Sequence, residues 1–372
     1  MAQLIRLLVC FFIASTFFQS AVAQRIRLFS DTSKNLRKIF LPVVVYTPET
    51  HVGVGGLGVA LFKNIHETIP TRTSNVEMVF LYTSRHQIIL IPRYTIFTKG
   101  EKWMFEGLGE ELINFKDFYY GRGDKTPSSN IEQVTYNVLG WENRVGRKLF
   151  ANRHLFVGAE TRAIYYYDLK TEPNGLLENN KNTGYNGSKS VGLGPALTWD
   201  ERDNVVNASR GFYWDFRYSA YLKELGGSVS YHRIIFDLRK YLTLNTAKRH
   251  ILAFQLYNNF VRGEAPFKEL AELGGPRVLR GYYRGRFRDN YMSAFQTEYR
   301  MPLYKRLGFV AFAGVAKVYG PESVNLEGLH YSYGGGLRFT INKKERLNIR
   351  FDWGKGDSEN HGYFYLGFAE SF

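Results

Sequence analysis

The stretch Phe212-Tyr213-Trp214-Asp215-Phe216-Arg217-Tyr218-Ser219 decides the fold. Successive side chains of an extended chain point to opposite sides, so Phe212, Trp214, Phe216 and Tyr218 share one face and Tyr213, Asp215, Arg217 and Ser219 the other. The same period recurs along the chain. Leu347, Ile349, Phe351 and Trp353 alternate with Asn348, Arg350, Asp352 and Gly354. Ile234, Phe236 and Leu238 alternate with Ile235, Asp237 and Arg239, and Leu252, Phe254 and Leu256 with Ala253, Gln255 and Tyr257. Phe295, Thr297, Tyr299 and Met301 alternate with Gln296, Glu298 and Arg300, and Val191, Leu193, Pro195 and Leu197 with Gly192, Gly194 and Ala196. One face is apolar and aromatic; the other is charged or very small. A soluble sandwich turns its apolar face inward. A barrel in a membrane inverts this, with lipid against the apolar face and a wet lumen against the polar one. Closure then leaves no unpaired strand edge in hydrocarbon.

Composition points the same way. The 372 residues carry 49 Lys and Arg against 34 Asp and Glu, a net charge of +15. With 16% aromatic residues the chain is not of the disordered class. A hydrophobic fraction of 44% is too low for a helical membrane bundle. One cysteine, Cys10, excludes a disulfide framework or a thiolate zinc site.

Residues 1–23 read as an export signal: Arg6, an apolar core over 7–18, and the small-x-small site Ala21-Val22-Ala23. The apolar core is shorter than the roughly 20 residues a spanning helix needs. Cleavage after Ala23 removes Cys10 and leaves a thiol-free chain suited to the oxidising envelope of a Gram-negative cell. The expected organisation is a cleaved signal at 1–23, a short periplasmic segment at 24–38 and a transmembrane β-barrel at 39–372. The expected location is the outer membrane.

Alternating segments fall at 39–47, 52–63, 75–85, 88–97, 101–113, 131–142, 153–168, 190–200, 209–221, 229–243, 249–262, 292–302, 307–319, 329–341, 346–355 and 361–372. Sixteen is an even number, as single-chain bacterial barrels require. Short turns at 98–100, 244–248, 303–306 and 342–345 join even strands to odd ones. The long connections 114–130, 169–189 and 263–291 join odd to even. Short turns on one rim and long loops on the other are the outer-membrane pattern, with the short side periplasmic. The links 64–74 and 201–208 are of medium length on that side.

Several stretches of the C-terminal half, 191–372, carry a resemblance. They are Trp199-Asp200-Glu201-Arg202-Asp203-Asn204 ahead of Gly211; Leu273-Gly274-Gly275 followed by Val278-Leu279-Arg280-Gly281-Tyr282; Glu298-Tyr299-Arg300-Met301-Pro302-Leu303; Gly334-Gly335-Gly336-Leu337-Arg338-Phe339; and Ile349-Arg350-Phe351-Asp352. In this order they resemble the D-x-R-D segment, the R-G-F/Y tip of the sixth extracellular loop, the E-x-R-x-P-L strand end and the following strands of the outer-membrane assembly and translocation superfamily. These are the BamA/TamA-type proteins, also called the bacterial surface antigen family. The aromatic end, with Phe364, Phe368 and the final Phe372, is similar to an outer-membrane insertion signal.

The resemblance implies an all-β fold, a 16-stranded antiparallel transmembrane β-barrel with a long extracellular loop folded into the lumen. It implies that Arg280, within the plug motif Leu279-Arg280-Gly281-Tyr282, pairs with an acid on the inner wall. The family's usual acid stands in an F-x-D-x-G strand. Here the stretch is Phe312-Ala313-Gly314-Val315-Ala316, with Gly314 at the acid's place, so Glu298 and Asp352, inward by alternation, are the expected substitutes. Family members that insert or translocate proteins carry periplasmic receptor domains ahead of the barrel. The segment 24–38 is too short for one, so a separate periplasmic partner would supply that function.

The expected activity is assistance in outer-membrane protein insertion, or protein and lipid export, through a weak seam between first and last strands. Gly53, Gly55 and Gly56 would lie opposite 362–372 there. The alternative is a passive channel or a structural barrel that docks a periplasmic partner. The eight histidines lack metal-ligand spacing and no Ser, His and Asp set has hydrolase context, so no enzyme activity, cofactor or metal is expected. The basic excess suits lipopolysaccharide and outer-membrane lipids better than nucleic acid, with 277–288 and 181–189 as the contact loops.

Overall fold

The computed structural model describes residues 36–62, 71–245, 249–321, 327–343 and 346–372. The expected export signal and the segment before Leu36 lie outside the described residues. The strands are β1 (Leu36–Thr47), β2 (His51–Phe62), β3 (Ser74–Thr83), β4 (Ile88–Phe97), β5 (Trp103–Tyr119), β6 (Glu132–Lys148), β7 (Leu155–Lys170), β8 (Ser188–Asp200) and β9 (Gly211–Tyr221). They continue as β10 (Tyr231–Asn245), β11 (His250–Gly263), β12 (Ala271–Leu273), β13 (Phe287–Asp289), β14 (Tyr291–Tyr304), β15 (Leu307–Tyr319), β16 (His330–Asn342), β17 (Leu347–Gly356) and β18 (Tyr363–Phe368). Sixteen of these form one closed barrel, in which β11 pairs with β14 and β18 returns to β1. The pair β12–β13 is a small hairpin inside the connection from β11 to β14.

Side-chain exposure fixes which face is which. Trp214 is 44% exposed while its neighbour Asp215 is 2% exposed; Phe351 is 46% exposed and Asp352 fully buried. The apolar stripe faces out and the charged stripe faces in, as lipid outside and a polar interior demand. Rings on the outer wall pack across strands, as in Trp199 against Trp214 and Phe216 against Phe236.

The interior is not uniformly polar. On β1 to β4 the inward side chains Val43, Leu81 and Ile89 are buried together, with Val45, Leu57, Val79 and Ile91 around them. The part of this sector around 88–91 is apolar on both faces, which is why that stretch reads as a continuous apolar run; Glu77 and Arg93 pair further along β3 and β4.

Closure is uneven. β1 pairs with β2 over its whole length, from Leu36 with Phe62 to Thr47 with His51. β18 pairs with β17 from Ile349 with Phe368 to Gly354 with Tyr363. Among the described residues the seam between β1 and β18 is joined at Tyr46 with Leu366 alone.

Two expectations are corrected at this seam. The last strand, expected over 361–372, ends at Phe368. Ala369 takes a left-handed φ of +60° and its N–H bonds the Asn348 carbonyl at 2.9 Å. The chain then turns inward: Glu370 accepts from Arg338 at 2.7 Å and from Asn348 at 2.8 Å. Phe372 is buried against Ala208, Tyr241 and Ala253, and its backbone oxygen accepts from Arg300 at 2.9 Å. Inward guanidinium groups draw the tail off the wall. The glycines Gly53, Gly55 and Gly56 do not oppose that tail. They pair with Val45, Val43 and Pro42 of β1 on one side and with Thr83, Leu81 and Phe80 of β3 on the other. The edge strand β1 stands between them and the seam. Gly55 has its own reason to be glycine, since a Cβ there would fall 1.8 Å from the Phe80 carbonyl oxygen.

Placing a charge on the outer wall tests the orientation. Phe295→Arg is expected to destabilise the bilayer-inserted barrel by about 2–4 kcal/mol, measured as a lower midpoint in urea titrations of the protein in liposomes.

Candidate functional site

The connection from β11 to β14 is built to return on itself. Gly263 closes β11 at φ +106°, and residues 267–269 make one tight turn. Ala271, Glu272 and Leu273 then pair with Asp289, Arg288 and Phe287. Between these two short strands lies the Leu279-Arg280-Gly281-Tyr282 motif. Its body is apolar: Leu273, Leu279, Tyr282 and Phe287 pack with Met292 and Ala294 of β14 and Ala316 and Val318 of β15.

The tip rests on backbone. Gly281 has φ +113°, and a Cβ on it would stand 2.6 Å from the Lys355 carbonyl carbon, so glycine is needed for this approach. The Gly356 N–H donates to the Gly281 oxygen at 2.9 Å. The Gly281 N–H donates to the Tyr365 hydroxyl at 3.1 Å, and that hydroxyl donates to the Tyr282 oxygen at 3.2 Å. Tyr365 is an inward residue of β18. The motif therefore holds the last strand directly.

Arg280 is wholly buried. One guanidinium nitrogen donates to Asp352 at 2.7 Å and another donates to Glu298. The plane lies over the Phe312 ring, 3.6 Å from its centroid. Each acid holds a second arginine: Arg300 donates to Glu298 at 2.9 Å, and Arg338 bridges Asp352 and Glu370. Planar forks that match carboxylates on two sides are the strong form of a charged hydrogen bond. Glu298 and Asp352, expected as substitutes from the resemblance, thus both contact Arg280. The absence of an acid at 314 has a steric reason, because a Cβ on Gly314 would come within 2.8 Å of the Leu279 side chain. Leu279 fills the place an aspartate would need.

A second anchor escaped the sequence. Glu269, buried to 1%, accepts from Arg162 at 2.6 Å, from Tyr166 at 2.8 Å and from Tyr231 at 3.2 Å, and pairs with Arg233 at 3.0 Å. Burial pushes its carboxyl up, but Arg162 and Arg233 outweigh that and hold it at about 2. A lone acid in a polar loop carries no local mark of this role; its partners come from β7 and β10. Nearby, Lys268 pairs with Asp117, Arg288 with Glu272 and Arg286 with Glu359.

These contacts correct the expected lipopolysaccharide patch at 277–288. Arg280, Arg286 and Arg288 are buried and engaged inside the protein. Of the remaining basic residues there, Arg277 is exposed and Arg284 pairs with Glu272 at 3.3 Å. The expected seam residues are also separated. Phe364 is exposed on the outer face of β18, Phe368 packs beside Val43, and Phe372 lies inside.

A closed antiparallel barrel of sixteen strands, apolar outside and carrying an arginine-tipped return loop, defines a class of bacterial outer-membrane barrel. The chain belongs to the Omp85 superfamily: residues 110–372, more than half its length, match the Omp85 superfamily domain. Among solved structures it is similar to BamA from Haemophilus ducreyi lacking POTRA domains 1–3, with a TM-score of 0.58 at 14% identity over 90% of this chain and 70% of that one. It is also similar to CdiB from Acinetobacter baumannii, with a TM-score of 0.59 at 11% identity over 91% of this chain and 60% of that one. At such identities the likeness concerns the fold. A search of curated proteins by sequence gives no match. Barrels of this superfamily are outer-membrane proteins of Gram-negative bacteria, of the assembly and translocation type.

Removing one partner of a buried ion pair costs about 3–5 kcal/mol. Because both acids keep a second arginine, Arg280→Ala is expected near the low end, about 3 kcal/mol, read from urea midpoints. Arg280→Lys should restore little, since a single ammonium does not fork to two carboxylates. Glu269 gives a pH test. A depressed carboxylate adds stability that is full above its ordinary 4.5 and is lost as pH falls toward about 2. Pepsin cleavage within 264–290 should rise across that interval, and Glu269→Gln should make cleavage high and flat across it.

Proposed function

We propose that this chain is an outer-membrane barrel that assists insertion of other outer-membrane proteins, or export of protein or lipid, through the seam between β1 and β18. The observation that carries this is the single paired position, Tyr46 with Leu366. From Leu36 to Val45 the edge of β1 has no partner on the β18 side among the described residues, because the tail beyond Phe368 has turned inward. Unpaired backbone in hydrocarbon is costly, and an open strand edge is a template for another strand. An incoming extended segment would satisfy that edge. The plug holds β18 through Tyr365, so the last strand keeps its place while the seam is open.

A passive channel fits less well. Arg280 and Glu269 fasten the return loop to β14, β17, β7 and β10. The link 201–210 also reaches across from β8–β9 to the β16–β17 turn, where Arg346 donates to Asp203 at 2.6 Å. The protein would receive clients or a separate periplasmic partner at that rim. It would meet lipopolysaccharide through Lys181 of the β7–β8 connection and Lys189 at the start of β8. No catalytic role is proposed.

Stapling the seam tests this function. Tyr46→Cys with Leu366→Cys, oxidised, is expected to abolish acceleration of client-barrel folding into liposomes, and reductant should restore it. Undiminished acceleration in the oxidised protein would refute the seam as the route. In planar bilayers the native protein should show little steady conductance, and Arg280→Ala should raise it; a large ohmic pore in the native protein would favour the channel.

A further inference from the structure

We propose that the extracellular end of the seam carries a saccharide-binding pocket. A cavity of about 340 Å³ opens where the β1–β2 turn, the β5–β6 connection, the return loop and the β17–β18 connection meet. Tyr46, His51, Tyr120, Tyr283, His361 and Tyr363 line it. The rings are arranged in pairs: Tyr46 stacks on His51 at 6.3 Å, His361 meets Tyr363 at 4.9 Å, and Tyr283 meets both Phe118 at 5.4 Å and Tyr120 at 6.2 Å.

The chemistry of this lining selects the ligand. It contains no carboxylate, guanidinium or ammonium group; Arg286 and Arg85 lie against two of its rings, Tyr120 at 4.8 Å and Phe118 at 5.4 Å. An acyl chain would suit Pro48, Ile131 and Phe364, which complete the lining, but would leave the imidazole and phenol edges unsatisfied. A pyranose fits both features. Its C–H faces lie on ring planes, and its hydroxyls reach imidazole nitrogens and phenol oxygens. One phenol is suited to the task. The Tyr363 hydroxyl donates to Glu359 at 2.9 Å, which leaves its oxygen free to accept.

The position gives the pocket a consequence for the seam, a part of the inference that rests on the function proposed above. Tyr46 and His51 stand on the β1–β2 side, His361 and Tyr363 on the β18 side, and Tyr283 on the return loop. A bound sugar spans the rim beside Tyr46 with Leu366 and holds the seam shut.

The test uses the full barrel in nanodiscs, titrated with lipid-free core oligosaccharide released from lipopolysaccharide or with maltoheptaose, and followed by calorimetry and saturation-transfer NMR. Saturable binding of either glycan supports the site, and the tighter one tells a lipopolysaccharide source from a free glucan. His361→Ala and Tyr120→Ala should each weaken binding by about five- to ten-fold. Tyr363→Phe keeps the ring, guards against misfolding as the explanation, and should also weaken binding. Hydrogen exchange at Tyr46 should slow when the glycan is bound. Absence of saturable binding by both glycans, or unchanged affinity in all three variants, overturns the site. Binding without slowed exchange overturns the clamp. The cysteine staple is assayed without glycan, so failure of the seam function and failure of the pocket are read separately.

Discussion

The interaction on which the structure turns is the contact of Arg280 with two carboxylates, Glu298 and Asp352. A charge this deeply buried is tolerable only when its hydrogen-bonding capacity is met on more than one side. Meeting it fixes the relative positions of three segments distant in sequence: the return loop, β14 and β17. Arg338 extends the set from Asp352 to Glu370, and Tyr365 extends it from Gly281 to β18. The arginine thus determines where the loop lies, where the last strand stands and where the tail goes.

That arrangement has a cost at the wall. Backbone groups of β1 that a longer β18 would have paired are left without it, while the tail gains charged hydrogen bonds inside. Each such bond is worth more than a neutral ladder bond. The protein is stabilised where water and ions can be organised, and weakened where lipid meets the strand edge. Charged contacts inside and ladder pairing at the wall draw on the same residues in opposite directions.

The barrel was legible because lipid imposes a strict period of two, and strands such as β9 and β17 display it in full. The Arg280 site was legible in part, through the R-G-Y tip and two inward acids, because those acids occur at fixed parity on regular strands. Glu269 was not, since its arginines sit on β7 and β10 and only the folded loop brings them together. The inward tail was hidden for a different reason: Glu370 on the apolar row is the one break in the alternation past Phe368, and nothing local marks Ala369 for a left-handed turn. The basic run at 277–288 misled in the opposite sense, because charge counts do not reveal which guanidinium groups are already paired.

The sector from β1 to β4 has a further consequence. With Val43, Leu81 and Ile89 inside and Phe40, Val54 and Phe80 outside, neither side of this panel has a strong preference for water. Elsewhere in the barrel, sliding a strand by one residue would thrust aspartates and arginines into oil; at this end of the panel it would exchange one aliphatic row for another. Solvent enforces alignment here only through the inward pair of Glu77 on β3 and Arg93 on β4, nearer the opposite rim. Around Val43, Leu81 and Ile89 the panel is kept in step by the ladder itself and by the close backbone approach at Gly55.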